Sequence, residues 1–222
     1  MWWQFLVVVV LGYLIGGINF ATVFAKLNKK NIRDMGSGNP GTMNMMRNLG
    51  AKWGALTFVC DALKGTVSAL LGSWIVGSVT GMYAGGLGAV LGHIYPIYAG
   101  FKGGKGVATA IGVFFATSPL WSLGTFILIL IVILTTKYGS LGSLTFVSVL
   151  TIEQGGVHMG ELAISLMLFA IWGLVWYGHR KNLVQLVVGT ERKSHILKTL
   201  NKIKKPKETK KTENQNGGMQ ND

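Results

Sequence analysis

The chain has 222 residues, of which 50% are hydrophobic and only 13% are charged. Soluble domains usually carry about 25% charged residues, so this composition favours a membrane protein. The formal net charge is +13, but the basic residues lie between and after apolar segments. That placement favours orientation in a membrane and attraction to anionic lipid or substrate over nucleic-acid binding. The single cysteine, Cys60, excludes an intramolecular disulfide and a cysteine-rich metal site.

The first apolar segment, residues 2–25, contains no charged side chain and is long enough to cross about 30 Å of hydrocarbon. Trp2 and Trp3 at its start are typical of anchors at a membrane interface, whereas a cleaved signal peptide would begin with basic residues. We predict seven spans, of which the other six lie at about 53–79, 83–101, 107–117, 121–136, 141–152 and 162–177. A five-span arrangement stays open, because the segments 107–117 and 141–152 are short enough to be re-entrant or buried.

The distribution of Lys and Arg predicts the orientation of these spans. If the first span runs from outside to inside, the cytoplasmic regions are 26–52, 101–106, 137–140 and the chain after residue 178. These regions contain every Lys and Arg except Lys64, whereas the opposite loops contain none and the last of them carries Glu153 and Glu161. The sequence therefore predicts an all-α integral membrane protein with its N-terminus outside and its C-terminus in the cytoplasm.

The end of the chain differs in composition from the part that precedes it. Residues 204–222 are basic, low in complexity and poor in apolar side chains, so they cannot bury enough apolar surface to fold. We predict a membrane domain over residues 1–203 and a disordered cytoplasmic tail over residues 204–222, whose lysines would be attracted to anionic lipid.

The stretch MGSGNPGTMNMMRNLG, residues 35–50, lies between two apolar segments. Its mixture of glycine, proline and asparagine is typical of neither a helix nor a strand. Glycines allow backbone N–H groups to point into one concavity, which is a common way to bind an anion. The glycines in question are Gly36, Gly38 and Gly41, and the side-chain donors beside them are Ser37, Asn39, Asn44 and Arg47.

A second polar segment, GGKG at residues 103–106, falls on the same predicted side. It is not a Walker A loop, because that motif requires a Ser or Thr after the lysine and here Gly106 follows Lys105. Glycine amides and one lysine at the start of a helix nonetheless suit an anion. Further donors on this side are Lys102, His179 and Asn182. Acids are almost absent from these segments, the exceptions being Asp34 and Asp61. The sequence therefore predicts a phosphate-binding site at the cytoplasmic face.

Several other kinds of site have no support in the sequence. The cytoplasmic segments carry no pair of carboxylates suited to glycoside chemistry, and the chain has no Gly-x-Ser-x-Gly elbow. No cluster of His and Cys with metal-ligand spacing is present either. We therefore predict neither a metal nor a cofactor.

These motifs resemble the bacterial acyl-phosphate:glycerol-3-phosphate acyltransferase family, the integral-membrane PlsY proteins. The matching motifs, in the family's order, are GSGNPG with Asn44 and Arg47, DALKG at 61–65, GHIYPIYAGFKGGKGVAT at 92–109, YGSLGS at 138–143, HRKNL at 179–183 and GTERK at 189–193. They extend from about residue 31 to residue 193, and the long motif at 92–109 is very specific.

The resemblance implies a seven-helix enzyme of the bacterial cell membrane that acts in the first acylation step of phospholipid synthesis. It would transfer a fatty acyl group from acyl phosphate, rather than from acyl-CoA or acyl carrier protein, to the 1-hydroxyl of glycerol 3-phosphate. The products would be lysophosphatidic acid and inorganic phosphate. The implied partners are the two substrates and membrane lipid, with no nucleic acid. Because acyl phosphate is already activated, alignment and charge stabilisation would suffice, and a substrate phosphate could act as the base.

The family's pattern assigns roles to individual residues of this chain. The residues implied in catalysis are Ser37, Arg47, Lys105, His179 and Asn182, with Lys105 and Arg47 binding phosphate. The residues implied in substrate and phosphate binding are Gly38, Asn39, Gly41, Asn44, His93, Gly103, Gly104, Gly106, Thr109 and Ser143. For His93 a structural role is equally consistent with the sequence. Asp61 and Lys64, three residues apart on one helix face, favour a buried structural pair.

Two positions depart from the family's pattern. Thr42 is displaced by one place relative to the usual Ala-Thr-Asn, and Gln185 stands where arginine is common. The acyl-chain preference or the rate could therefore differ, as in a divergent paralogue.

The main alternative function is a transporter of a phosphorylated anion, whose polar residues would lie near the bilayer midplane. A non-catalytic membrane scaffold is a third possibility.

Overall fold

The structure is a computed structural model, and it describes residues 1–194. Within this part of the chain every regular element is a helix. The helices are α1 (Trp2–Gly17), α2 (Phe20–Leu27), α3 (Thr42–Leu49), α4 (Ala51–Val76), α5 (Val79–Ile94), α6 (Val107–Thr117), α7 (Pro119–Thr136), α8 (Gly139–Val157), α9 (Leu162–Gly178) and α10 (Arg180–Val187). Single 3₁₀ turns lie at Ile32–Asp34 and Ile97–Ala99. The predicted tail, residues 204–222, lies outside the described residues.

Each of the seven predicted apolar segments contains a helix, with α1 and α2 together forming the first. By length and apolar composition, three helical units could cross a membrane: Trp2–Leu27, Ala51–Val76 and Pro119–Thr136. A fourth is counted only if α9 and α10, which meet at a bend of 56°, form one broken span. The all-helical class is therefore confirmed over the described residues, whereas the number of spans and the orientation stay predictions.

The stretch 35–50 contains a helix, so the expectation that it would be neither helix nor strand was wrong. α3 begins after Gly41, and its apolar side chains Met45 and Leu49, four residues apart, lie on the same face. Both pack into a small apolar cluster with α2. The buried members of that cluster are Ala21, Ala25, Ile32 and Met45. This tertiary packing outweighs the modest helix propensity of the asparagines in the segment.

Glycines bring α1, α4, α5 and α6 into close contact. A Cβ added at Gly12 or Gly16 of α1 would collide with the backbone carbonyl of Gly85 or Ala89 in α5. A Cβ added at Gly112 of α6 would likewise collide with the backbone of α4. Small residues at such crossings allow helix backbones to touch directly. Because α5 and α6 are both fixed in this way, the loop between them, which carries GGKG, is anchored at both ends.

Candidate active site

The polar loop before α3 is held in shape by Asn44, whose side chain is buried. Asn44 Oδ1 accepts a hydrogen bond from the backbone N–H of Ser37 at 3.1 Å, and Asn44 Nδ2 donates to the carbonyl of Met35 at 2.9 Å. Gly36 and Gly38 have left-handed backbone angles, with φ of 58° and 68°, which favour glycine. Asn44 therefore stabilises the loop and bonds to its backbone, whereas Ser37 is exposed on the loop's surface.

The GGKG loop is attached to the end of α5 by two backbone hydrogen bonds. Gly103 N–H donates to the carbonyl of Ile94 at 3.0 Å, and Gly104 N–H donates to the carbonyl of His93 at 3.1 Å. The N–H groups of Gly103 and Gly104 therefore already donate to backbone carbonyls. Gly106, with φ of 82°, precedes α6. The N–H groups in the first turn of a helix have no partner within it and favour an anion, so the start of α6 suits a phosphate.

Lys105 is connected to three other segments of the chain through Asn182 and Glu191. The Lys105 ammonium donates to Asn182 Oδ1, and Asn182 Nδ2 donates to Glu191 Oε1 at 2.9 Å. The other carboxylate oxygen of Glu191 accepts a hydrogen bond from Ser140 Oγ at 2.6 Å. These residues come from the α5–α6 loop, α10, the segment after α10 and the first turn of α8, so the network joins four parts of the chain.

His179, between α9 and α10, lies beside this network. Its side chain is 2% exposed. Because a carbonyl can only accept, the contact of 2.8 Å between His179 Nδ1 and Val175 O makes Nδ1 the donor. In the neutral ring Nε2 is then the nitrogen that can accept a hydrogen bond. The preceding residue, Gly178, packs on the GGKG loop, since a Cβ added there would lie 3.4 Å from Lys105 Cα.

Arg47, in the last turn of α3, reaches the same place from the first polar loop. Its Nη2 donates to the carbonyl of Arg192 at 3.2 Å, directly after Glu191 in the chain. A guanidinium has five N–H donors in a planar fork, so further donors remain for a ligand. We name this cluster the polar junction, and its members are Arg47, Lys105, Ser140, His179, Asn182 and Glu191.

Two cations, Lys105 and Arg47, lie near one carboxylate, that of Glu191, at the polar junction. Burial lowers the pKa of the Lys105 ammonium to about 8, while Glu191 raises that pKa and Arg47 lowers it. The pKa of Arg47 is lowered by partial burial and by Arg192, and it is raised by Glu191. The junction therefore carries more positive than negative charge, and a bound phosphate would offset the difference.

The structure places four of the five residues implied in catalysis at the polar junction, namely Arg47, Lys105, His179 and Asn182. Their roles stay predictions. The fifth, Ser37, lies in the neighbouring polar loop, where its Oγ accepts a long hydrogen bond of 3.4 Å from the N–H of Asn39. Gly38 and Gly41 belong to the same loop.

The other predicted binding residues lie in more enclosed surroundings. Ser143 Oγ donates to the carbonyl of Gly139, one turn earlier in α8, at 2.8 Å. Thr109 is fully buried in the first turn of α6, and a Cβ added at Gly65 of α4 would collide with its carbonyl. His93 is buried at the end of α5. None of these three side chains makes a hydrogen bond to the polar junction within residues 1–194.

Reasoning from the sequence did not assign Glu191 or Ser140 to the site, although they stand in the motifs GTERK and YGSLGS. The statement that acids are almost absent from the polar segments, apart from Asp34 and Asp61, was wrong for the polar junction, because Glu191 is buried at its centre. A signal was available, since Glu191 is the single acid within residues 179–194, and it stands in the GTERK motif. A lone acid in a basic segment indicates an ion pair or a hydrogen-bond acceptor with a specific partner.

An apolar groove lies between α4, α6 and α7. Its volume is about 260 Å³, and its lining side chains include Phe58, Ala62, Leu63, Ile111, Phe115 and Phe126. Gly112, which also lines the groove, follows Lys105 by seven residues. At a rise of about 1.5 Å per residue, the groove lies roughly 10 Å from the GGKG loop along α6.

Comparison with known proteins identifies relatives over most of the chain. The family model described as glycerol-3-phosphate acyltransferase matches residues 6–189. The glycerol-3-phosphate acyltransferase of Aquifex aeolicus (strain VF5) is 41% identical over 197 residues, which cover 85% of this chain and 98% of the relative. The glycerol-3-phosphate acyltransferase 2 of Bacillus anthracis is 42% identical over 185 residues, which cover 83% of this chain and 96% of the relative.

Two solved structures have a similar fold. Both are crystal structures of PlsY (YgiH), an integral membrane glycerol 3-phosphate acyltransferase, and both are 40% identical to this chain. The glycerol 3-phosphate form has a TM-score of 0.81 and covers 88% of this chain and 98% of its own. The lysophosphatidic acid form has a TM-score of 0.79 and covers 89% of this chain and 98% of its own. Together with the apolar helices, this likeness establishes a membrane protein.

Proposed function

The chain belongs to the glycerol-3-phosphate acyltransferase family, and on that premise we propose that it transfers a fatty acyl group from acyl phosphate to the 1-hydroxyl of glycerol 3-phosphate. The products are lysophosphatidic acid and inorganic phosphate. The glycerol 3-phosphate and lysophosphatidic acid forms of the similar solved structures support this substrate and this product. Membership of an acyltransferase family also decides against the alternatives of an anion transporter and a scaffold.

The observation that carries the proposal is the convergence of donors at the polar junction. Lys105, Arg47 and Asn182 come from three segments that are distant in the chain and meet around one buried carboxylate. The free N–H groups at the start of α6 add a second source of donors. Both substrates carry a phosphate, so a site with more positive than negative charge and few acceptors suits them.

The chemistry needs alignment and charge stabilisation more than it needs a covalent intermediate. The 1-hydroxyl oxygen of glycerol 3-phosphate bonds to the acyl carbonyl carbon, and the bond from that carbon to the phosphate oxygen breaks with its electron pair leaving on phosphate. The hydroxyl proton passes to a substrate phosphate. Lys105 and Arg47 stabilise the charge on the phosphates, and His179 Nε2, as an acceptor, orients the attacking hydroxyl.

The apolar groove suits the fatty acyl chain. Its α6 lining residues are Ile111, Gly112 and Phe115, roughly 10 Å along the helix from the GGKG loop, and its lining side chains are almost entirely apolar. An acyl chain in this groove would place the acyl phosphate group toward the polar junction, because the head of the lipid stays at the polar surface while its tail enters the hydrocarbon region. Ala62, Gly112 and Phe126 would then limit the width available to the chain.

One assay tests the function and the donor together. Purified protein with palmitoyl phosphate and glycerol 3-phosphate should form lysophosphatidic acid and release one inorganic phosphate for each product molecule. Replacement of palmitoyl phosphate by palmitoyl-CoA should give no product. Comparable rates with palmitoyl-CoA would contradict the proposed donor, and no product with either donor would contradict the proposed reaction.

The polar junction is proposed to face the cytoplasm, in the plasma membrane of a bacterium. The support is the one-sided distribution of Lys and Arg, with the N-terminus placed outside. Single cysteines at Ser37 and Gly156, each in a Cys60→Ala background, should react with membrane-impermeant reagents from opposite sides. Reaction of both cysteines from the same side would contradict the orientation.

A further inference from the structure

A buried ionic cluster lies below the polar loops and takes no part in the chemistry proposed above. Asp61 and Lys64 lie on α4 and His93 lies on α5, with exposed fractions of 1%, 4% and 4%. Lys64 Nζ is 2.8 Å from Asp61 Oδ1, as the sequence predicted, and His93 Nδ1 is 3.6 Å from the same oxygen. Charges inside apolar helices are costly even when they are paired, and they usually serve a function.

Lys64 connects this cluster to the first polar loop. Its Nζ donates to the carbonyl of Ile18 at 2.6 Å, in the short break between α1 and α2. The next residue, Asn19, donates through Nδ2 to the carbonyl of Pro40 at 3.2 Å. The cluster therefore helps to determine where the end of the first polar loop lies.

His93 connects the cluster to the GGKG loop. A Cβ added at Gly104 would collide with His93 Nε2 and would lie 3.1 Å from the carbonyl oxygen of Pro40. Gly104 therefore lies directly against the His93 ring and close to the end of the first polar loop, and its N–H donates to the carbonyl of His93 at 3.1 Å. Because Lys105 is the next residue, any shift of the His93 ring moves the backbone that carries the Lys105 ammonium.

We propose that His93, whose Nδ1 lies 3.6 Å from Asp61 Oδ1, is a positioning residue that fixes the GGKG loop and through it Lys105. The proposal rests on the proposed function, because it assigns the cluster to the glycerol 3-phosphate site of that reaction. His93 is buried beneath Gly104, so it acts on the ligand through the loop and not by contact. This role departs from the substrate-binding role implied for His93 by the sequence resemblance.

Direct binding of glycerol 3-phosphate, measured by isothermal titration calorimetry, tests the proposal without any need for acyl transfer. His93→Ala and Asp61→Asn should each weaken binding at least fivefold, because the loop is no longer held in place. The matched control is Thr57→Ala, which removes another buried polar side chain of α4 outside the cluster and should leave binding unchanged. Asp61→Asn preserves the shape of its side chain, so it carries the test if His93→Ala does not fold. Wild-type affinity in folded Asp61→Asn would overturn the proposal.

A double-mutant cycle separates positioning from a general structural role. His93→Ala should lower kcat/KM for glycerol 3-phosphate at least fivefold in the wild-type background and less than twofold in a Lys105→Ala background, because its effect passes through Lys105. An equal loss in both backgrounds would overturn the proposal. If the wild type shows no acyl transfer but the cluster variants weaken binding, the proposed reaction fails and the positioning role stands. If the wild type transfers the acyl group but the cluster variants bind glycerol 3-phosphate with wild-type affinity, the positioning role fails and the proposed reaction stands.

Discussion

The crossing of α1 with α5 and the polar junction are both closely packed, but different interactions hold them together. At the crossing, Gly12 and Gly16 place the backbone of α1 directly against the backbone of α5. At the polar junction, hydrogen bonds between side chains join Lys105, Asn182 and Glu191. Backbone contact stabilises the helix arrangement whatever the ligand, whereas a side-chain donor can exchange a protein acceptor for a phosphate oxygen. A change at the crossing should therefore reduce the amount of folded protein, and a change at the junction should alter the kinetics of folded protein.

The largest effect is expected for Gly16→Val at the crossing. The new side chain would collide with backbone atoms of Ala89, which cannot move away as the end of a flexible side chain could. Overpacking costs typically about 1–3 kcal/mol, or roughly 2–12 °C in Tm for a chain of this size. Gly173→Val is the matched control, because a Cβ at Gly173 of α9 meets no atom within 4 Å among the described residues. Equal Tm values and yields for the two variants in detergent would show that the crossing does not limit stability.

The helix arrangement could be predicted from the sequence only in part. Long apolar segments with few charges predict helices because the backbone must satisfy its own hydrogen bonds in lipid, and each predicted segment contains a helix. Glycines permit close packing of membrane helices, but a glycine does not identify its partner, so the pairing of Gly16 with Ala89 could not be predicted. α3 was missed because its burial against α2 depends on tertiary contacts that the local composition does not contain.

The candidate site was predicted in outline but not in its connections. Lys105 and Asn182 were assigned to one face of the membrane by the charge distribution and the family's motifs. Their hydrogen bond joins residues that are 77 positions apart, and no local pattern predicts a contact over that distance. Glu191 was missed because no partner was assigned to this lone acid of a basic segment, whereas the chain after α10 turns back and buries the carboxylate between Asn182 and Ser140.

At the polar junction, Lys105→Ala should leave the fold intact and impair the reaction. A charge-assisted hydrogen bond contributes about 1.5–3 kcal/mol, so kcat/KM for glycerol 3-phosphate should fall roughly tenfold to a hundredfold. Lys102→Ala is the matched control, since Lys102 is an exposed lysine of the same loop. The Tm of both variants should stay close to that of the wild type. A decrease in Tm for Lys105→Ala comparable to that for Gly16→Val would contradict the proposed difference between the α1–α5 crossing and the polar junction.

The pH dependence of kcat/KM should reflect the ionisation of Lys105. Lys105 is a cation below its pKa of about 8 in the ligand-free protein and loses its charge as the pH rises through that value. Glycerol 3-phosphate is already a dianion there, since a phosphate monoester has its second pKa at about 6. Because the pH dependence of kcat/KM reports the pKa values of the free enzyme, kcat/KM should decrease above pH 8, and the decrease should approach about tenfold per pH unit. In Lys105→Arg the decline should disappear, because a guanidinium keeps its proton in this range. A flat wild-type profile to pH 10 would show that the Lys105 charge is not needed.

The smallest effect is expected from two serines in the first turns of α8, which differ in what their hydroxyl groups contact. Ser140 Oγ donates to Glu191 Oε2 at 2.6 Å, whereas Ser143 Oγ donates to the carbonyl of Gly139 in its own helix at 2.8 Å. Ser140→Ala would leave a buried carboxylate oxygen without that donor, at a cost of about 1.5–3 kcal/mol, of which only a part would reach Lys105 through Glu191 and Asn182. The Glu191 carboxylate would then hold Asn182 less firmly.

Because Asn182 in turn accepts the hydrogen bond from Lys105, Ser140→Ala should lower kcat/KM about threefold to tenfold, with most of the loss in the apparent affinity for glycerol 3-phosphate. Ser143→Ala should change kcat/KM by less than about twofold, since its hydroxyl forms a neutral bond within one helix. The two serines lie three positions apart on the same helix and both variants remove a hydroxyl group, so effects of composition and hydropathy cancel between them. A larger loss in Ser143→Ala than in Ser140→Ala would support the binding role that the sequence predicts for Ser143, and it would mean that the carboxylate of Glu191 does not depend on its serine partner.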